Sequence, residues 1–207
     1  KFNVTGIFDL NSYIDRKNPY GILDTFERAC RNKSFQRNAH LILKISGQFN
    51  KKKSLSNILK KAKKAKISLT LIDENLSNQE MESLRNITDV FISLHRSEGF
   101  GLNVIENMSA GNIVIATNYS GNTDYMDNNN SLLVDYSLIP IEEEQYPYWA
   151  GQFWADPSVE DATEKLLWAY ENSIAASKIA KRAQSFVNKE YSIDAVSKIV
   201  KREISRI

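Results

Sequence analysis

The residues best placed to do chemistry are two glutamates, Glu98 and Glu106, which bracket a short glycine-bearing stretch, Gly99-Phe100-Gly101-Leu102. Ahead of them, Asp89-Val90-Phe91-Ile92-Ser93-Leu94 is an apolar, β-favouring run of strand length. Behind them, Leu102, Ile105, Met108 and Ser109 recur at helical spacing, so the segment reads as strand, loop, helix. Such a junction aims main-chain N–H groups at whatever sits above the strand end. Gly99 and Gly101 allow a ligand close to the backbone, and the helix adds the positive end of its dipole. That combination suits a phosphate or a cluster of sugar oxygens. Glu98 stands at the mouth of the loop and Glu106 in the first turns of the helix, so the two can approach one bound molecule from different sides.

The elements that must hold this loop follow from the rest of the pattern. Val4 to Phe8, Leu41 to Ile45, Ile67 to Ile72, Asn112 to Ala116 and Ser131 to Val134 are further short apolar runs. Amphipathic stripes separate the earlier ones, for example Tyr20, Ile22, Leu23, Phe26 and Ala29. Strands alternating with helices over the first two thirds of the chain predict an α/β, doubly wound, mostly parallel sheet with helices on both faces. The last third reads as helices, through Leu166, Leu167, Ala169 and Tyr170, then Ile179, Ala183, Phe186 and Val187. A final stripe of Ile193, Val196, Ile199, Val200, Ile204 and Ile207 follows a break at Tyr191-Ser192. Between them, Ile139 to Phe153 shows no period and is expected to be a long loop packed by its own rings. Asp156-Pro157 is expected to cap the next helix, with proline in its first position.

Composition narrows the class. At 207 residues with 42% apolar side chains, the chain can bury a proper core. A net charge of +2 does not mark a nucleic-acid binder. Cys30 is the only cysteine, which excludes an internal disulfide and a cysteine-based metal site, and fits a reducing, intracellular setting. No apolar run reaches the ~18 residues a membrane-spanning helix needs. The chain opens at Lys1 directly into a strand-like run, like a piece of a longer protein. From Lys51 to Lys66 there are eight lysines and no acid, threaded by Leu55, Ile58, Leu59, Ala62 and Ala65. This is an amphipathic helix with a basic outer face, either simply solvated or drawn to an anionic membrane surface.

The string Ser97-Glu98-Gly99-Phe100-Gly101-Leu102 followed by Glu106 closely resembles the Glu-x7-Glu signature of retaining glycosyltransferases of the two-domain GT-B type, family 4. The resemblance implies a Rossmann-like C-terminal donor-binding domain with extra C-terminal helices over residues 1–207. The N-terminal acceptor domain would lie outside this chain, and the isolated domain would be inactive. It further implies a nucleoside-diphosphate sugar as donor, a glycan or lipid-linked acceptor, and neither cofactor nor metal. A role in polysaccharide biosynthesis and a cytoplasmic location, with the inner face of the membrane as a point of contact, come with it. By the same resemblance Glu98 meets the donor sugar hydroxyls beside the reacting carbon, and Glu106 accepts hydrogen bonds from the ribose.

Lys17, in Arg16-Lys17-Asn18-Pro19, resembles the family lysine that meets the diphosphate. The arginine that many members carry earlier in this loop is absent or replaced by Asn11, leaving Arg16, Lys44 or Arg96 as substitutes. Lys44 either emerges at its strand end toward phosphate or packs with a snorkelling stem. Gly99, Phe100, Gly101 and Leu102 would line the donor, and Leu71 and Ile72 the base. Thr117 to Asp124 resembles the family's small-residue loop facing the phosphates, in which Ser120 and Asn122 alternatively cap a short helix. His95 adjoins phosphate or packs at the strand end. Two other readings compete: an enzyme sharing the GT-B plan, either a sugar-nucleotide epimerase or a glycogen-phosphorylase-like relative, and a non-catalytic module that binds anionic surfaces through the lysine-rich helix.

Overall fold

The computed structural model describes residues 1–206. Eight strands and nine α-helices follow in chain order among these residues. They are β1 (Phe2–Asp9), α1 (Ile14–Lys17), α2 (Pro19–Ala29), α3 (Lys33–Asn38), β2 (Ala39–Ser46), α4 (Lys51–Lys64), β3 (Leu69–Ile72) and α5 (Asn78–Asn86). Then come β4 (Val90–Ser93), α6 (Leu102–Ala110), β5 (Ile113–Thr117), β6 (Leu132–Val134), β7 (Tyr136–Pro140) and β8 (Phe153–Pro157). Helices α7 (Val159–Glu171), α8 (Ser173–Glu190) and α9 (Ile193–Ile204) complete the series.

Six strands form one parallel sheet in the order β3-β2-β1-β4-β5-β6. This is the expected doubly wound α/β fold. Its two faces are written into the strands: Val90 and Ile92 pack into the larger core with Phe26 of α2, Ile58 of α4 and Leu166 of α7. Phe91, between them, points the other way, to a second core with Ile105 and Met108 of α6 and Val187 of α8. Period-two alternation in a strand buried on both sides produces that division. The chain reverses its direction of winding between β1 and β4, where Val4 pairs with Val90. In open α/β sheets this switch point, outside the carboxyl ends of the strands, is where ligands sit. The loops that follow β1 and β4 therefore flank it.

Two expectations are corrected. Residues 139–153 are not simply a long loop, because β7 and β8 pair antiparallel from Tyr136–Pro157 to Pro140–Phe153 as a two-stranded ribbon. Its alternation escapes notice because most of β7 is exposed on both faces. Asp156 and Pro157 accordingly end a strand, and the cap of α7 is Ser158, whose side chain accepts from the Asp161 N–H. Asp156 instead binds Arg96 at 3.1 Å. Trp154 of β8 is fully buried. The last apolar stripe forms α9, which buries none of its side chains; Ile193, Val196, Ile199, Val200 and Ile204 are all exposed. Ile207 lies outside the described residues.

Candidate active site at the switch point

The loop after β1 and the loop after β4 meet through their polar groups. Asn18 takes a left-handed conformation (φ 47°), caps α2 by accepting from the Gly21 N–H, and donates to the carbonyl of Leu94 at 2.9 Å. Pro19 follows in the first helical position, so Asn18-Pro19 turns the chain and ties it to the end of β4. Lys17 is thereby delivered to Glu98, with Nζ 2.5 Å from Oε2. Arg16 comes from the same short helix. Its guanidinium donates to the carbonyls of Ser12 (3.0 Å) and Ser97 (2.8 Å) and lies 3.7 Å from Glu98 Oε1.

The Glu98 carboxyl sits in a balance of opposed effects. Burial alone would push its pKa up, but the Lys17 hydrogen bond and the charges of Lys17 and Arg16 prevail and hold it below the usual carboxylate range. His95, fully buried three residues earlier, has its pKa lowered by burial and stays neutral. Its ring contacts Ser93 Oγ at 3.0 Å and Asn122 Oδ1 at 3.0 Å, which makes it a strand-end packing residue.

The glycine loop is clamped from above by the segment after β5. Ser120 Oγ accepts from the Glu98 N–H at 2.8 Å and makes no cap bond to the following 3-10 turn. The Gly121 N–H donates to the Glu98 carbonyl at 3.0 Å. Asn122 is also not a surface cap: its amide is buried and donates to the Thr117 carbonyl. Tyr125 donates to the carbonyls of Phe100 (2.7 Å) and Gly101 (3.0 Å), fixing the turn at Gly101 (φ 83°) that starts α6. Above Gly99 the space is open, with nothing within 4 Å of where a Cβ would stand. Sequence reasoning missed Tyr125, and nothing in its local pattern distinguishes it from a core aromatic.

The expected site residues divide into groups. Lys17, Glu98, Gly101 and Leu102 line one small cavity of about 30 Å³ at the switch point, with Asn103 beside them. Phe100 turns its ring away to stack near Tyr125 and Tyr191, at 5.3 and 6.1 Å. Glu106 lies four residues along α6 from Leu102, a rise of about 6 Å. It is paired with Arg85 of α5 and opens on a separate groove of about 530 Å³ with Asn78 and Met81. The two glutamates thus address neighbouring depressions rather than a common one. Lys44 is only 5% exposed, between Ile7 and Ile72 in the sheet. Burial lowers its pKa, with Asp9 opposing, and it does not line the switch-point cavity. Arg96 lies over the Trp154 ring at 5.4 Å and binds Asp156, which commits it to β8. Asn11 accepts from the N–H groups of Gln48 and Phe49 and so orders the loop after β2. Ile72 is half-buried at the end of β3. Among the described residues no group of three or more His, Cys, Asp or Glu side chains is placed to hold a metal ion.

The family model for glycosyl transferases group 1 matches residues 7–186, which takes in both loops, the end of β1 and all of β2 to β8. The chain belongs to that family. Its fold is that of the C-terminal domains of GT-B glycosyltransferases. The C-terminal domain of a group 1 glycosyl transferase (LpcC) from Francisella tularensis superimposes with a TM-score of 0.72 at 19% identity, over 93% of this chain and 87% of that one. The catalytic domain of cholesterol-α-glucosyltransferase from Helicobacter pylori gives 0.66 at 15% identity, over 91% and 98%. Alr3699/HepE from Anabaena, solved with UDP-glucose, gives 0.76 at 13% identity and is matched over 100% of this chain and 49% of its own. The group 1 chain thus spans about half the length of that protein. No curated protein gave a sequence match.

Proposed function

We propose that this group 1 domain binds a nucleoside-diphosphate sugar across the β1–β4 switch point and serves as the donor half of a retaining glycosyltransferase. The observation that carries the reading is the Lys17–Glu98 pair, set at the mouth of the glycine loop and at the start of α6. The main chain of residues 99–103 and the dipole of α6 receive the diphosphate, and Lys17 neutralises the charge that grows on it as the glycosidic bond breaks. Since the pair lines a cavity of only about 30 Å³, an incoming diphosphate draws Lys17 away from Glu98. The freed carboxylate then accepts hydrogen bonds from the donor sugar and faces the developing oxocarbenium centre. Glu106, steadied by Arg85, meets the ribose in the adjoining groove, with the base toward Ile72. A nucleotide sugar is long enough to reach both depressions. Transfer needs no metal in this reading, and the acceptor, a glycan or a lipid-linked sugar, is brought by a further N-terminal domain.

Calorimetry with UDP, GDP and their sugars tests it. The protein is expected to bind at least one, and Glu106→Ala to weaken that binding about tenfold, the ~1.5 kcal/mol of a hydrogen bond to a charged group. Absence of binding to every nucleotide sinks the assignment. An epimerase sharing the fold would instead convert a nucleotide sugar with no acceptor present.

The lysine-rich helix has its own test. Lys52, Lys53, Lys60, Lys63 and Lys64 of α4 are exposed, together with Leu59, while Lys51 and Lys61 pair with Asp73 and Asp24. Among the described residues no helix is long and apolar enough to cross a membrane. Contact with an anionic surface on the cytoplasmic side is the role proposed for this face, at ~1 kcal/mol per nearby lysine. Flotation with vesicles containing anionic lipid should carry the protein up at low salt, and neutral vesicles should not. Equal recovery from both refutes the contact.

A further inference from the structure

A second cavity, of about 480 Å³, lies on the far side of α1 from the Lys17–Glu98 pair. That volume falls within the ~300–1,000 Å³ typical of small-molecule sites. Its walls come from α1, from the start of α2, from the loop after β2 with the first turns of α4, and from the tip of the β7–β8 ribbon. Helix α1 is the shared partition: Asp15 faces this cavity, and Lys17 faces the other.

The lining mixes rings with short-range polar groups. Tyr13, Tyr20 and Phe49 supply aromatic surface, and Phe49 is 56% exposed. Asp15, Glu143 and Glu144 offer carboxylate acceptors, while Asn57 and Lys53 offer donors. A pyranose ring has apolar C–H faces that lie against aromatic rings and a rim of hydroxyls that both donate and accept. Three carboxylates against one lysine disfavour a phosphorylated or carboxylated ligand.

The backbone supplies an independent observation. Seven non-glycine residues among those described have positive φ, and three of them line this cavity: Tyr13 (φ 64°), Asn50 (φ 50°) and Glu144 (φ 67°). Each such residue costs on the order of 1–3 kcal/mol and is retained where the surroundings impose it, commonly around ligands. The rim is also joined to the donor loop by a chain of rings. Phe49 lies 6.3 Å from Tyr13, Tyr13 5.0 Å from Tyr146, and Tyr146 6.4 Å from Trp154, over which Arg96 is placed.

We propose that this cavity binds an uncharged saccharide unit, a part of the acceptor or of the growing glycan, beside the donor. The role rests on the proposed transferase function; binding itself does not. The test is a titration of the protein with methyl glycosides of glucose, galactose, mannose, N-acetylglucosamine and N-acetylgalactosamine, each to 50 mM, followed by amide NMR shifts. At least one glycoside is expected to shift Phe49, Asn50, Lys53 and Asn57, with Phe49→Ala and Glu143→Gln each weakening it at least fivefold. Both positions are exposed, and both variants should keep wild-type nucleotide affinity. A panel that leaves those amides unmoved, or binding unaffected by both substitutions, overturns the saccharide site. Nucleotide binding measured on the same samples separates the outcomes: if it persists while the sugars fail, only this inference falls, and if it is missing, the transferase reading falls as well.

Discussion

Gly121→Ala is expected to abolish nucleotide binding and to lower the melting temperature by several degrees. A Cβ built on Gly121 would stand 1.5 Å from the Gly99 carbonyl oxygen and 3.1 Å from that of Glu98. Those atoms belong to backbone, so no side-chain rotation relieves the overlap. The loop after β5 must lift off the glycine loop, which breaks the Gly121–Glu98 and Ser120–Glu98 bonds together. Overpacking of this kind costs about 1–3 kcal/mol, and each lost hydrogen bond adds about 1 kcal/mol. Glu98 would lose its fixed backbone, so the binding defect should exceed what the stability loss alone explains. Thermal melts and calorimetry on the variant decide it. A variant that binds nucleotide like the wild type would show that the tight approach of these two loops does not shape the site.

Glu98→Gln, placed in a chain that also carries the proposed acceptor domain, is expected to lower kcat about 100-fold while changing nucleotide affinity only a few-fold. The carboxylate is proposed to act on the sugar rather than on the nucleotide, and charge aimed at the reacting centre is worth about 10²–10³ in rate. The isosteric amide preserves volume but leaves Lys17 and Arg16 without their counter-charge. Both are partly buried, and the pair is screened less than a surface pair, so a stability loss of about 1–2 kcal/mol should accompany the change. Its pH dependence follows from the depressed pKa of Glu98. The contribution is fully present above the ordinary carboxylate pKa and is lost as pH falls through the lower folded value. Acid titration of stability should therefore converge for wild type and variant at low pH and diverge above it. Equal losses in kcat and in nucleotide affinity would instead mark Glu98 as a structural ion-pair partner.

Much of this architecture could be read from the sequence because its signals are local. Runs such as Val90-Phe91-Ile92 are buried on both faces, and the alternation that feeds two cores is visible in the strand itself. Asn18-Pro19 and Gly101 carry backbone requirements that few other residues meet. The β7–β8 ribbon was not legible, because β7 is exposed and has no burial period to display. Nor were the partners of the candidate residues. Lys44 and Arg96 were as suitable for phosphate as Lys17 by residue type alone, yet the fold buries one in the sheet and commits the other to Asp156 and Trp154.

The sequence by itself determined the alternation of strands and helices, the glycine loop between β4 and α6, and membership in the glycosyl transferases group 1 family, since periodicity and motif spacing are properties of the chain. The tertiary structure alone decided which cation meets Glu98, that Glu106 answers to Arg85 in a separate groove, and that Ser120, Gly121 and Tyr125 hold the loop. Those pairings join residues tens of positions apart. Their energies depend on distance and burial, which exist only once the sheet has brought the strand ends together.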